Sequence, residues 1–302
     1  MNGSAIREKD AGRNRPAETQ RREQPSAAAS ALLVDPASAY WQVNRESFLL
    51  LGGGAALLLQ LAHPLVAAGV ADHSGFHDEP VRRLYRTIRT MQDIIYEDGH
   101  TALTAARQVK RVHAGVHGTL KEGTEAFPAG TPYRASDPEL LLWVHTTLLA
   151  TALTTYEQFM PALGAAEREA YYQSSKPVAR ILGLADADLP VDYAAFRDYF
   201  DGMVRSPILA LTSTSRTLAE NVIYPPISWF PRIAGDALAV ATAALLPAEV
   251  RDLYGLRWGP RRRFAWRLLR RSLKESLPLM PNVVRAGRHA RRGERRARQV
   301  AA

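Results

Sequence analysis

The stretch "VKRVHAGVHG", residues 109–118, sets two histidines four positions apart. On a continuous helix, side chains at that spacing look out over the same patch of space. His113 and His117 could then share a metal ion, or one could hold a haem iron beside a bystander, or both could be surface residues. On a helix read over residues 101–121, Ala102, Ala105, Val109, Val112, Val116 and Leu120 make one apolar stripe. His113 falls about 20° outside that stripe and His117 about 60° outside it. His113 is therefore expected to point inward and His117 to sit on the rim.

A zinc site would need both imidazoles and a third ligand such as Glu125 or Glu157. The residues between the two histidines are Ala-Gly-Val, which departs from the H-E-x-x-H pattern of zinc proteases. "HSGFH", residues 73–77, repeats the spacing, but its glycine disfavours a helix. Haem ligation needs only one inward imidazole. Three more histidines, His63, His73 and His145, lie in or beside apolar segments, more than a plain core requires.

The preceding helical segment, "VRRLYRTIRTMQDII" (81–95), carries an apolar stripe of Leu84, Ile88, Met91, Ile94 and Ile95. Thr87 falls within it, Arg83 on its border, and Arg86 about 60° further out than Arg83. An arginine at the margin of an apolar wall can pair with a buried anion, such as a haem propionate or a substrate group.

The elements that would position these residues read as helices throughout. The 302-residue chain is 46% apolar, enough for a sizeable core. Apolar residues recur at three-to-four spacing over about 80–97, 101–121, 138–160 and 165–183, and then over about 191–204, 208–221, 232–245 and 260–276. No strand alternation or internal repeat stands out. The expected architecture is all-α, a single helical-bundle domain over 36–285, between a disordered arm (1–35) and a basic disordered tail (286–302). Residues 48–71, "FLLLGGGAALLLQLAHPLVAAGVA", form an uncharged run of 24. Its length would suit a membrane span, but Gln60, three glycines and His63-Pro64 favour a buried core helix. "LGGGAA" has neither the lysine nor the strand–turn–helix context of a phosphate-binding loop.

The chain has no cysteine, which excludes disulfides, iron–sulfur clusters, thiolate zinc sites and cysteine nucleophiles. Its first residues lack the basic-then-apolar order of a signal peptide, so a cytoplasmic location is expected. The net charge of +9 is uneven: from Arg257 to Ala302, 15 Arg and Lys face two Glu, a net of +13, leaving −4 for the rest. Such a basic end suits an anionic surface. "RRRFAWRLLRRSLKESL", 261–277, sets Phe264, Trp266, Leu269, Leu273 and Leu277 against arginines. It reads either as a helix lying on a membrane or as the last helix of the domain. No motif for specific nucleic-acid recognition accompanies it.

Five segments in order resemble the catalytic domain shared by bacterial rubber oxygenases (latex-clearing proteins) and the fungal oxygenase of mycophenolic acid biosynthesis. They are "WQVNRESFLLLGGGAALLLQLAHPLVAAGVADHS" (41–74), "RRLYRT" (82–87), "VHAGVHG" (112–118), "YRASDPELLLWVHTTL" (133–148) and "LYGLRWGPRRR" (253–263). The resemblance implies an all-α, globin-like core holding haem b through one histidine. Its H-x-x-V-x-G pattern falls on His113, Val116 and Gly118, making His113 the iron ligand. His63, His145, Val116 and Arg83 are the further residues expected around the cofactor. The R-x-x-[KR]-T pattern falls on Arg83, Arg86 and Thr87, the expected catalytic group. Rubber oxygenases carry a lysine where this chain has Arg86, and a guanidinium is a poor iron ligand. Their distal glutamate has no aligned equivalent here; Asp72 and His73 are the nearby candidates. The activity implied is oxidation of a hydrophobic, isoprenoid-like unsaturated substrate by dioxygen. The rival readings are a haem carrier or sensor and a cofactor-free protein of the membrane surface.

Overall fold

The computed structural model describes residues 32–73, 80–224 and 232–300, with backbone only for 80–84, 232, 233 and 300. Among these residues the architecture is all-α, with one two-stranded ribbon. Helices α1 (Ala39–Asn44), α2 (Gly53–Leu61) and α3 (Pro64–His73) are followed by α4 (Pro80–Tyr96) and α5 (Gly99–Ala114). The ribbon comes next, β1 (His117–Thr119) and β2 (Pro132–Arg134). Then come α6 (Pro138–Phe159), α7 (Ala165–Leu182), α8 (Tyr193–Arg205), α9 (Ser213–Ile223), α10 (Arg232–Leu245) and α11 (Ala248–Leu253). The chain closes with α12 (Pro260–Ser276), α13 (Asn282–Arg285) and α14 (Arg288–Val300).

The apolar run 48–71 is not one helix. A 3-10 turn over Ser47–Gly52 leads into α2, and α3 departs from that axis by 105° at Ala62-His63. Pro64 explains the break: its ring cannot continue a helix but suits the first position of a new one. The free carbonyl of Ala62 accepts a bond from the Ala210 amide at 2.9 Å. Among the described residues no single helix is long and apolar enough to cross a membrane.

Helix α2 packs against α3, α6, α9 and α10. The glycines permit this. A Cβ on Gly54 would collide with Thr242 Oγ1 of α10, and one on Gly52 with Thr155 Oγ1 of α6. Helix α6 is buried on many sides, through Leu140, Trp143, Leu149, Leu153 and Phe159 among others. Its Trp143 is fully buried and donates Nε1–H to the Leu59 carbonyl at 3.2 Å. Each such large apolar side chain contributes about 1.5–3 kcal/mol of burial free energy.

Val34, just ahead of residue 36, is buried, and Leu32 bridges to Asp98; residues 1–31 lie outside the described set. Residues 288–300, expected as a disordered tail, form α14 packed on α4. Ala290 is fully buried there, and Gly293 lies so close to Trp41 and the Tyr96 carbonyl that a Cβ would come within 2.5 and 2.6 Å of them. Glu46, buried beside the N-terminal helices, receives a bidentate bond from Arg285 at 2.8 and 2.9 Å. These contacts are between residues far apart in sequence, which local composition could not signal.

Candidate functional site

Helices α4 and α5 form a hairpin around Asp98, which caps α5 by accepting from the Thr101 amide at 2.9 Å. The short connection folds α5 back along α4. His113 thus lies at the same end of the pair as Arg83, Arg86 and Thr87. That end is the more open one: Arg86 and Thr87 are exposed, whereas Ile94, Ile95 and Tyr96 at the other end are buried. Thr87 therefore lies outside the buried stripe expected for it. The Arg83 side chain lies outside the described residues.

Helix α5 stops at Ala114, short of the expected residue 121. Gly115 caps it, and Gly115, Val116, Gly118 and Thr119 are weak helix formers. His117 then enters β1, pairing with Arg134, while Gly118 pairs with Tyr133 and Thr119 with Pro132. The two histidines consequently sit on different elements, and the shared helical face behind the zinc reading is absent. Glu157, one candidate third ligand, is engaged by Arg168 at 2.8 Å and by the Leu163 amide.

His113 occupies the last turn of α5, half-buried. Its Nδ1 is buried with no hydrogen-bond partner among the described residues. Burial lowers its pKa, so the ring is held uncharged. His117 is exposed, and its carbonyl accepts from His73 Nε2–H at 2.8 Å. His113 is the inward residue of the pair, as the spacing had suggested.

Val116 has its amide bonded to the His113 carbonyl at 3.0 Å. It packs, with Phe127, on a small cluster of Leu65, Ala68, Leu120, Tyr133 and Leu140. His63, at the α2–α3 bend, is buried and stacks near Phe127 with ring centres 5.4 Å apart. His63 thus adjoins this cluster through Phe127, and Val116, three residues after His113, packs on its edge. His145 is buried on α6. Burial pushes the pKa of both His63 and His145 down to about 4. His63 Nδ1 and His145 Nε2 are buried without partners among the described residues. Each of the three imidazoles keeps a nitrogen without a partner among the described residues, and a haem iron would need one such nitrogen.

Asp72 and His73 are poorly suited to serve as the free distal base. Asp72 accepts from Lys121 Nζ at 2.6 Å and Tyr133 Oη at 2.8 Å. The Lys121 bond is the main cause holding its carboxyl below the usual range. His73 is exposed and spends Nε2 on the His117 carbonyl. The second histidine of "HSGFH", His77, lies outside the described residues.

One group of metal-capable side chains went unnoticed in the sequence. Asp93 on α4, Glu97 just past its end and His289 on α14 bring their donor atoms within 4.8 Å of one another. His289 Nδ1 stands 3.3 Å from Glu97 Oε1 and 3.7 Å from Asp93 Oδ1, and Arg296 Nη2 donates to Glu97 Oε2 at 2.7 Å. The donor types suit a small divalent cation, but the guanidinium beside them opposes further positive charge. What the trio visibly does is pin α14 to α4. Only the i, i+4 spacing of the two acids was readable beforehand.

Residues 40–275 match the family described as ER-bound oxygenase mpaB/B'/Rubber oxygenase, catalytic domain. Two relatives are the uncharacterized proteins Rv2237 of Mycobacterium tuberculosis and Mb2261 of Mycobacterium bovis. Each is 28% identical over 227 residues, covering 70% of this chain and 83% of the relative. No solved structure matches.

Proposed function

Since the chain belongs to the family of ER-bound oxygenase mpaB/B' and rubber oxygenase catalytic domains, we propose that this oxygenase uses haem b, held by His113, to oxidise a hydrophobic, isoprenoid-like unsaturated substrate with dioxygen. The observation that carries the reading is His113 itself: half-buried, kept uncharged, and left with an orphaned nitrogen at the end of α5. The chemistry a bound haem b would supply is activation of dioxygen.

The chain's own residues have separate tasks in this reading. His113 holds the iron as a neutral imidazole, the form its burial favours. His63, His145 and Val116 wall the cofactor; the apolar cluster around Val116 and Phe127 favours an apolar substrate and keeps water away. Arg83 and Arg86 would pair with anionic groups of the cofactor or substrate, because a guanidinium stays charged and donates several bonds in one plane. Thr87 adds a hydroxyl beside Arg86.

Purified protein from haem-supplemented cultures should show a Soret band with about one haem per chain. His113→Ala should remove that band and leave far-ultraviolet circular dichroism near normal, while His117→Ala keeps it. A holo-competent preparation without a Soret band, or loss of the band in His117→Ala instead, overturns the assignment. Oxygen uptake with squalene and none with squalane distinguishes an oxygenase of unsaturated isoprenoids from a haem carrier.

A further inference from the structure

Helix α12 has two apolar faces, and only one is used by the fold. Trp266 and Leu277 are buried, and Leu269 and Leu273 are half-buried against the core. Trp266 meets Phe159 of α6 edge-on at 6.0 Å. On the opposite side Phe264 and Leu268 are 62% and 57% exposed. They lie about 40° apart on the helix, with Arg261, Arg267, Arg271 and Lys274 all within about 80° of Phe264. Over α12 the chain carries six arginines, one lysine and a single glutamate, Glu275, which Arg271 pairs at 2.8 Å.

The flank of this stripe opens into a cleft of about 490 Å³ lined by Trp258, Pro260, Arg263, Trp266 and Arg267. Past the helix the exposed apolar surface continues through Leu279, 84% exposed, to Val283 and Val284. The Val284 carbonyl accepts from Ser47 Oγ at 3.0 Å, next to the turn that exposes Leu50.

We propose that this face of α12, with the Trp258–Trp266 cleft beside it, docks the protein on an anionic phospholipid bilayer. The charge and the apolar tips argue for this occupant together. Phe264 and Leu268 would enter the acyl boundary while the surrounding guanidiniums meet lipid phosphates. Arg263 and Arg267 line the cleft, where they can meet lipid phosphates, and tryptophans favour the interfacial layer. A nucleic acid would use the arginines but has no call on a bare phenylalanine–leucine pair set among them. The docking is independent of the cofactor, and if the substrate is lipid-like it places the enzyme where that substrate dissolves.

The test is co-sedimentation of the full chain with vesicles of phosphatidylcholine alone, or with about one third phosphatidylglycerol. Wild type should bind the anionic vesicles about tenfold more strongly, and lose most of that binding at about 0.5 M salt. Phe264→Ser/Leu268→Ser and Arg261→Glu/Arg267→Glu/Arg271→Glu should each weaken it about tenfold or more. All five positions are exposed, so circular dichroism should be unchanged. Equal binding to both vesicle types, or an apolar variant that binds as wild type does, overturns the proposal. So does a dimer in sedimentation equilibrium that Phe264→Ser/Leu268→Ser dissolves, which would make the face a contact between two copies.

Discussion

A Cβ on Gly118 would come within 2.7 Å of Tyr133 Oη. The two residues face each other across the β1–β2 ribbon, and Tyr133 lays its fully buried ring over the glycine to donate its hydroxyl to Asp72 at 2.8 Å. Strand β1 packs on α3, and a Cβ on Gly69 of α3 would meet Val116 Cγ1 at 3.3 Å. Gly118 of the H-x-x-V-x-G pattern therefore lets the ribbon close just after His113, and Val116 packs against Gly69 of α3 there. Gly118→Ala should cost about 1–3 kcal/mol by urea unfolding, since the tyrosine has to move. Pairing it with Tyr133→Leu should recover part of that cost; strict additivity would show that the contact does not matter.

Acid should destabilise the fold through His63 and His145. Their folded-state pKa, about 4, lies below the unfolded value of 6.5. The unfolded chain therefore binds protons first, and the stability these residues contribute is intact above about pH 6.5 and lost progressively toward pH 4. The full effect is about 3 kcal/mol for each histidine. Thermal melting across that window should show the decline in wild type. His63→Leu/His145→Leu should flatten it, and an unchanged slope would refute the burial argument.

The close approach of α2 to α10 rests on Gly54 lying against Thr242. Gly54→Ala should lower stability by about 1–3 kcal/mol, despite alanine's better helix propensity. Gly53, with open space where its Cβ would go, is the internal control: Gly53→Ala should be neutral or stabilise by up to about 1 kcal/mol. Chemical denaturation of the two variants side by side reads the difference directly.

Glu46 and Arg285 tie the start of the fold to its end. Glu46 is 6% exposed and Arg285 is partly open to solvent. Removing the carboxylate strands a guanidinium that water reaches in part, so Glu46→Ala should cost about 2 kcal/mol, less than a fully buried pair would. Limited proteolysis should then cut near α13 earlier than in wild type, and an unchanged digestion pattern would count against the strap.

Much of this architecture could be read in advance because helix formation is local. The period of apolar residues placed α4, α6, α7, α10 and α12 within a residue or two of their observed ends. Proline and glycine signals marked their boundaries. The inward orientation of His113 also followed from helical phase alone. At residues 115–121, where apolar spacing alone would extend α5, the pair Gly115 and Gly118 is the local signal that it ends.

The chain's own order of residues was enough to determine most of its helices and the inward histidine, since each depends on neighbours a few positions away, and its family, through five segments kept in order. Only the packed molecule decided that His117 belongs to a strand, that the break Pro64 makes in the run at 48–71 opens to 105°, and that residues 288–300 fold onto α4. Each of those outcomes depends on a partner from elsewhere in the chain: Tyr133 and its ribbon, the amide of Ala210, the trio of Asp93, Glu97 and His289. The same is true of α12, where tertiary contact chose which apolar face went inward and left Phe264 and Leu268 in the open.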